Sequence, residues 1–529
     1  MFKVLVSDPI SDMGIQQLND AADITVDKQP GLSEEQLIDI IGNYDALLVR
    51  SQTKVTAKIM EAGKNLKVVG RAGVGVDNID LEAATQHGIV VINAPDGNTI
   101  TTCEHAFAMM MSLARHIPQA HKKTVSGEWD RKTFVGVELR NKVLGVIGMG
   151  RIGSEVAKRA KAFGMDIIGY DPFLTEERAE KLGVKLGSVD EICAKADFMT
   201  LHTPLTNETR HMIGAPQFAI MKKGMRIVNC ARGGLVDELA LVAAVDEGIV
   251  AGAAFDVFES EPPVADHPFL NNPKIIVTPH LGASTIEAQE NVAIDVSEEV
   301  LHVLRSEPFK NAVNMPPVPP AVLNKLQPYF LLGDNMGRFL AQLADGAVQN
   351  ISISYSGELA EVDTMPLTRY IVKGVLAHHL GSEQVNMINS LHLAKQRDLN
   401  IIVQKTGTSK GFTNLVTVTV TTSKESRTLA GTLLNGYGAR IVKIDDFTID
   451  LAPSGNFILV SHNDKPGIIG RLGTVLGNND VNIATMQVGR QVIGGSAIMV
   501  LTVDKQAPKN VIEELAELPE MMNVKEVTL

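Results

Sequence analysis

The stretch KVLGVIGMGRIGSEVAKRAKAFG, beginning at Lys142, constrains the fold of this chain more than any other. It holds Gly148-x-Gly150-x-x-Gly153, and its surroundings give the triplet meaning. An apolar run, Val143 to Ile147, predicts a strand leading in. A helix from about Arg151, with Ile152, Val156 and Ala160 on one face, leads out. A second strand ends in Gly169-Tyr170-Asp171, and Asp171 lies about 20 residues on, where an acid meets ribose hydroxyls. Gly148 permits a tight turn, Gly150 lets a pyrophosphate approach the backbone, and Gly153 allows close helix–strand packing. The helix N-terminus adds partial positive charge. A carboxylate at Asp171 would repel a 2′-phosphate, so the expected cofactor is NAD rather than NADP.

The motif begins near residue 140, so a lobe of over 90 residues precedes the nucleotide lobe. FKVLVSD, DALLVRS, LKVVGRAG and IVVINAP read as its strands; KVLGVIG, DIIGYD, DFMTLH, RIVNCA and AAFDVF follow, with helical segments between. This alternation predicts α/β architecture with parallel, doubly wound sheets. About ten strands are too many for one comfortable sheet, so two Rossmann-like lobes are expected. The chain must return to the first lobe. The helix after His280, with a capping box at Ser284 and Glu287, is the natural return. A cleft then forms between the lobes with His280 at its hinge.

The clearest linker is NMPPVPPA, Asn314 to Ala321, with four prolines in five positions. Beyond it, VQNISISYSG and NLVTVTVTTS alternate with period two and predict antiparallel strands in an α+β domain. Another boundary falls near Ala452–Gly455. The remaining segments, with helices from Pro466 and Pro508, read in the ferredoxin-like βαββαβ order. The expected domains are 1–97 with 281–313, then 98–280, 314–453 and 454–529.

The net charge of −12 argues against nucleic acid or anionic membrane as partner. Any site for an anion must then be a local cluster of arginines and lysines. Cys103, Cys193 and Cys230 are far apart and lack metal-ligand spacing, so no disulfide framework or metal site is expected. No apolar run approaches transmembrane length and the N-terminus does not read as a signal peptide. A cytoplasmic protein is the expectation.

Three polar residues fall at carboxyl ends of successive strands, where open α/β sheets place ligands. Arg232 stands in RIVNCARGGLVDE, Glu261 in AAFDVFESEPP and His280 in IIVTPHLGAST. Hydride transfer from a hydroxy acid needs such a set. A base takes the hydroxyl proton, and an arginine fork holds the carboxylate and polarises the oxygen. A carboxylate beside the histidine orients it and helps it accept and return a proton. In the first lobe, Gly73-Val74-Gly75 forms a loop whose N–H groups suit a carboxylate. Arg50, beside Ser51, and Arg71 lie at strand ends and suggest a second anion such as phosphate. Asn98 opens the helix between lobes.

GMGRIG with Asp171, NCARGGLVDE, DVFESEP and PHLGAST stand in the order seen in the D-isomer-specific 2-hydroxyacid dehydrogenases, which residues 1 to about 313 resemble. The resemblance implies Arg232 as substrate clamp, Glu261 as partner acid and His280 as acid/base. It implies further cofactor contacts at Arg151, Ile152, Thr203, Pro204, Cys230, Ala231, Asp256, His280 and Gly282. Over its whole length the chain is similar to the long-form D-3-phosphoglycerate dehydrogenase family, with an intervening domain and a C-terminal ACT domain. That likeness implies oxidation of 3-phospho-D-glycerate to 3-phosphohydroxypyruvate, the first committed step of serine synthesis, by a homotetramer. It implies substrate contacts from Arg50, Ser51, Arg71, Gly73, Val74, Asn98 and Arg232, and Arg131 (or Lys132) reaching a neighbouring subunit's site. SHNDKPGIIGRLGTVLGNNDVNIATMQV resembles the ACT signature, which implies L-serine as effector on His462, Asp464 and Asn482. The family often has Asn where this chain has Asp464. A glyoxylate or hydroxypyruvate reductase and a non-catalytic NAD-sensing scaffold stay open as alternatives.

Overall fold

The computed structural model of the chain describes residues 1–316, 318–408 and 411–529. Pro317, within the expected linker, therefore lies outside the described residues. The first sheet holds β1 (Phe2–Val6), β2 (Ile24–Lys28), β3 (Ala46–Val49), β4 (Val68–Arg71) and β5 (Val90–Asn93). Its order is β2-β1-β3-β4-β5 and every pairing is parallel. All four residues of β3 are buried, because helices cover both faces.

The second sheet holds β6 (Val143–Ile147), β7 (Asp166–Tyr170), β8 (Lys185–Leu186), β9 (Phe198–Leu201), β10 (Met225–Asn229), β11 (Val250–Phe255) and β12 (Ile275–Val277). Its order, β12-β11-β10-β9-β6-β7-β8, is also all parallel and reverses at β6. A ligand crevice is expected outside the carboxyl end of that reversal, where the glycine triplet sits. The two Rossmann-like lobes are thus present. The sequence reading missed the short β8 and the half-exposed β2, which lack a long apolar run.

Two helices join the lobes. Thr99–Arg115 buries Cys103, Ala106, Met110 and Leu113 against the second sheet. Ile286–Leu304 returns to the first lobe and packs Ala293, Val296 and Val300 on its core. The return helix is capped by Thr285, whose hydroxyl accepts from Ala288 N–H at 3.2 Å, not by the Ser284–Glu287 box. Ser284 is drawn into the preceding turn, where its N–H donates to Leu281 O at 2.8 Å.

The third sheet holds β13 (Val348–Gly357), β14 (Asn400–Thr406), β15 (Asn414–Thr422), β16 (Ser426–Leu434), β17 (Gly438–Ile444) and β18 (Phe447–Leu451). Its order is β14-β13-β15-β16-β17-β18. The expected antiparallel pairing holds except between β13 and β14, which run parallel. Helices Met365–Leu380 and Ser390–Gln396 fill the crossover that a parallel pair requires. Period-two alternation reports which face is buried and not strand direction. Pro320 opens the long helix Pro320–Leu343, since an N1 proline loses no helical bond.

The fourth sheet holds β19 (Asn456–Asn463), β20 (Ile483–Arg490), β21 (Ser496–Val503) and β22 (Met521–Thr528), in the order β20-β21-β19-β22. With helices Ile468–Asn478 and Lys509–Glu517 it is the ferredoxin-like order. One of its faces shares a core with the third sheet: Phe457, Leu459, Ile498 and Val500 pack with Phe339 and Leu340 of the long helix. None of the described helices is long and apolar enough to cross a membrane.

The return helix docks with almost no clearance at Gly14, where a Cβ would lie 2.1 Å from that of Ala293. Gly14→Ala should lower stability by about 1–3 kcal/mol through overpacking, read as an earlier first transition in urea. An unchanged midpoint would show that this contact is loose.

Candidate active site

The loop after β12 carries His280 in the left-handed region, at φ 55°. For a non-glycine residue this costs on the order of 1 kcal/mol, and the surroundings must hold it. They do so through Asp256, just past β11 and fully buried. Its backbone carbonyl accepts from His280 N–H at 2.9 Å. Its carboxylate accepts from Leu281 and Gly282 N–H, both at 2.7 Å, and from Thr278 Oγ1 at 2.5 Å. His105, on the helix Thr99–Arg115, approaches the same carboxylate at 3.2 Å. Burial pushes the Asp256 carboxyl up, but the bonds from His105, Thr278 and Leu281 outweigh it and hold it below its ordinary value.

His280 Nδ1–H donates to Glu261 Oε2 at 2.7 Å, and Glu261 Oε1 accepts from Phe258 N–H at 3.1 Å. Burial raises the Glu261 carboxyl. The His280 bond and charge, Phe258 N–H and the charge of Arg232 together leave it lowered. The pair is therefore intact at neutral pH and is lost as pH falls through that lowered value.

Arg232 reaches across the cleft. Its Nε donates to Asp77 Oδ2 at 3.0 Å, and a Cβ on Gly75 would lie 1.7 Å from its guanidinium. Arg71 is close enough that burial first, then Arg232, and to a lesser degree Arg50, push its pKa down to about 10. Three guanidiniums thus share one pocket, and among the described residues neither Arg50 nor Arg71 has an ion-pair partner. The loops are braced: buried Asp8 accepts from Arg50 N–H at 2.6 Å and from Thr53 Oγ1 at 2.5 Å. Asn78 accepts from Arg71 Nε at 2.9 Å and donates to Arg50 O at 2.8 Å. Ser51 is exposed beside Arg50. Gly73 spends its N–H on Arg71 O at 2.8 Å, so in the Gly73–Gly75 loop only Val74 and Gly75 N–H are without an acceptor among the described residues. Asn98 ends the first lobe with its Oδ1 buried and unpartnered among the described residues. Arg131 lies exposed on a loop that Asp130 fixes, near exposed Trp129, and is not brought to the cleft within one chain.

The glycine triplet fits a dinucleotide. Gly148 has φ 93°, and a Cβ there would meet His202 C and O at 2.6 Å. Gly153 would place one 1.9 Å from Gly148 O, whereas Gly150 faces open space at the helix start. Asp171 Oδ2 accepts from Met149 N–H at 3.0 Å and Oδ1 from Phe173 N–H at 2.8 Å, leaving each oxygen a further lone pair. Arg151 is held in an ion pair with Asp96 at 2.6 Å, and Ile152 packs partly on the core. Thr203 lies against Gly148, and Pro204 follows at the surface. Cys230 and Ala231 follow β10, and burial, then Asp256, pushes the Cys230 thiol well up, so it stays neutral. Gly282 sits against Asp256, where a Cβ would come within 3.2 Å of its carboxylate.

The effector residues divide. His462, on β19, has Nδ1 on Asn463 O at 3.0 Å and a buried Nε2 unpartnered among the described residues. Asp464 is nearby, but its carboxylate already accepts from Arg490 Nη1 at 2.8 Å and from Gly494 N–H at 3.3 Å. Both contacts of this carboxylate are thus within the chain. Asn482 bonds Asp504 at 2.8 Å at the far end of the sheet. Eight residues of strand, roughly 25 Å, separate it from Asp464.

Sequence reasoning missed Asp8, Asn78, Asp77 and His105. Asp8 was open to discovery, since it ends the first strand as Asp171 ends another. His105 lies inside a helix and carries no local signal.

Residues 107–282 match the family model described as D-isomer specific 2-hydroxyacid dehydrogenase, NAD binding domain. Residues 325–445 match the D-3-phosphoglycerate dehydrogenase intervening domain and 457–520 the ACT domain. Curated D-3-phosphoglycerate dehydrogenases from Bacillus subtilis and Methanocaldococcus jannaschii are each 46% identical, covering 100% of this chain and 100% of their own. The chain belongs to the D-3-phosphoglycerate dehydrogenase family. Members of this family are NAD-dependent oxidoreductases, and this chain is one of them. Among solved structures, a glyoxylate reductase from Paecilomyes thermophila is 33% identical with TM-score 0.54, covering 59% of this chain and 98% of that one. D-lactate dehydrogenase from Aquifex aeolicus, complexed with NAD and lactic acid, is 28% identical with TM-score 0.52, covering 58% and 96%.

Asp171→Ala should weaken NADH binding about tenfold or more while changing NADPH binding little, by fluorescence titration. An unchanged preference would remove Asp171 from the ribose site.

Proposed function

We propose that the enzyme interconverts 3-phospho-D-glycerate and 3-phosphohydroxypyruvate. The observation that supports this most is the position of Arg232. Its charge is felt both by Glu261, bonded to His280, and by Arg71 beside Arg50. Proton-transfer groups and a cationic pocket for a second anion thus meet at one residue. When bound, the nicotinamide accepts or returns the hydride. His280 takes the substrate hydroxyl proton on Nε2 and Glu261 stabilises the imidazolium that results. Arg232 forks the carboxylate and polarises the developing carbonyl. Val74 and Gly75 N–H groups support the same carboxylate, Arg50 and Arg71 with Ser51 receive the phosphate, and Asn98 Oδ1 serves a ligand hydroxyl. An unphosphorylated hydroxy acid would leave the half-buried Arg50 and Arg71 guanidiniums without an ion-pair partner among the described residues.

The reading extends to regulation. The ACT domain binds L-serine, the end product of the pathway this oxidation opens. His462 and Asp464 receive it, with Arg490 displaced from Asp464 by the effector's ammonium group. Asn482 joins them from a second copy, since one chain holds it at the opposite end of the sheet. Arg131 likewise enters a neighbour's cleft, which makes the working enzyme an oligomer, read here as a tetramer. The net charge of −12 and the lack of a membrane-spanning helix among the described residues accord with a cytoplasmic location.

His280→Ala should lower kcat at least about 100-fold and leave NADH affinity within about twofold. Lost NADH binding would make the residue structural. NADH oxidation with 3-phosphohydroxypyruvate, hydroxypyruvate and glyoxylate, each with and without L-serine, tests the rest. Strong preference for the phosphorylated acid with inhibition by serine is the expected result. Preference for the others removes Arg50 and Arg71 as phosphate ligands, and indifference to serine removes the effector assignment.

A further inference from the structure

A second acid–imidazole couple stands directly behind the first. Glu238 is the first residue of the helix Glu238–Asp246, and His267 caps the short helix Pro268–Asn271. Both are largely buried, with 14% and 13% of their side chains exposed, so the couple is shielded from solvent exchange. His267 Nδ1 accepts from Phe269 N–H at 3.3 Å. That bond places the ring proton on Nε2, which donates to Glu238 Oε2 at 2.9 Å. The other carboxylate oxygen, Oε1, accepts from Glu259 N–H at 2.8 Å. Glu238 therefore has a separate donor on each oxygen, one of them the backbone of the segment that carries Glu261.

The grip on that segment is tight. The His267 ring meets Phe258 edge-on, with centroids 5.3 Å apart. Phe258 N–H is itself the group that bonds Glu261 Oε1, at 3.1 Å. On the other side, a Cβ on Gly233 would lie 1.8 Å from Phe258 O, so the backbone next to Arg232 rests on the same segment. A shift of residues 258–259 would move Glu261 away from His280 and unseat the loop of Arg232 together. Glu261 is exposed and follows a run without regular structure, in which Phe258 is buried, the Glu259 side chain meets Arg210 and His211, and Glu238 accepts from the Glu259 backbone N–H.

We propose that Glu238 and His267 are positioning residues: a rear acid–imidazole couple that holds the Phe258–Glu261 segment and so sets the Glu261–His280 bond. The inference rests on the reading of Glu261 and His280 as the proton-transfer pair. Glu238 and His267 spend their side-chain bonds on each other and on the backbones of Glu259 and Phe269, so their effect falls on kcat and not on cofactor affinity.

The test is a double-mutant cycle on the full-length enzyme, with NADH and 3-phosphohydroxypyruvate. Glu238→Ala should lower kcat about 10–100-fold with KM for NADH within about twofold. In a Glu261→Gln background the same substitution should cost less than about threefold, because the residue through which Glu238 acts is already disabled. His267→Gln, which keeps a donor for Glu238, should retain several-fold more activity than His267→Ala. Additive losses in the cycle, or wild-type kcat in Glu238→Ala, would overturn the proposal. Should Glu238→Ala not fold, the paired His267 variants carry the same cycle against Glu261→Gln. A Glu261→Gln enzyme with wild-type kcat is a different failure: it sinks the proton-transfer reading itself, and this inference with it.

Discussion

The buried carboxylate of Asp256 is the interaction on which the site depends. A fully buried charge is tolerated only where donors surround it. Here Leu281 and Gly282 N–H, Thr278 and His105 converge on it, while its own carbonyl takes His280 N–H. These bonds hold His280 in a backbone conformation that the residue alone would avoid. They also link the helix Thr99–Arg115, which leaves the hinge, to the loop after β12. Cleft geometry and histidine placement are in this way one structural event.

The cleft is built against electrostatic preference. Arg50, Arg71 and Arg232 share a pocket although their mutual repulsion opposes folding, and Arg71 is held partly desolvated. Asp8 and Asn78 fix the backbone that presents this cluster, and the Asp8 charge offsets only a small part of the effect on Arg71. Asp77 supplies a single carboxylate to Arg232 from the opposite lobe. A bound anion would relieve this repulsion.

The C-terminal half follows another logic. The fourth sheet packs one face on the long helix Pro320–Leu343, with Phe457 against Phe339 at 5.8 Å. The turn after β20 reaches the third sheet through Gln491 and Asp446 O at 3.5 Å. Asn386 in turn donates to Gly88 O of the first lobe at 2.7 Å. A continuous set of contacts runs from the Asp464 loop to the catalytic lobes, and the Asp464–Arg490 pair stands at its start.

Much of this was legible in the linear chain. Gly148, Gly150 and Gly153 declare themselves because a tight turn, an open helix start and a close packing contact are local demands on the backbone. Arg232, Glu261 and His280 stand out as candidates because strand ends are marked by apolar runs that stop abruptly. What the sequence determined, then, was the order of elements and the chemistry placed at their ends. Tertiary structure alone decided who meets whom. Asp8 braces Arg50 from 42 positions away, and Glu238 grips a segment 21 positions on. The linear chain is equally silent on the parallel run of β14, the Arg490 partner of Asp464 and the separation of Asn482 from His462. Periodicity and propensity report only a residue's immediate neighbours along the chain. Pairing across a cleft or a sheet is set by how the packed elements close in space.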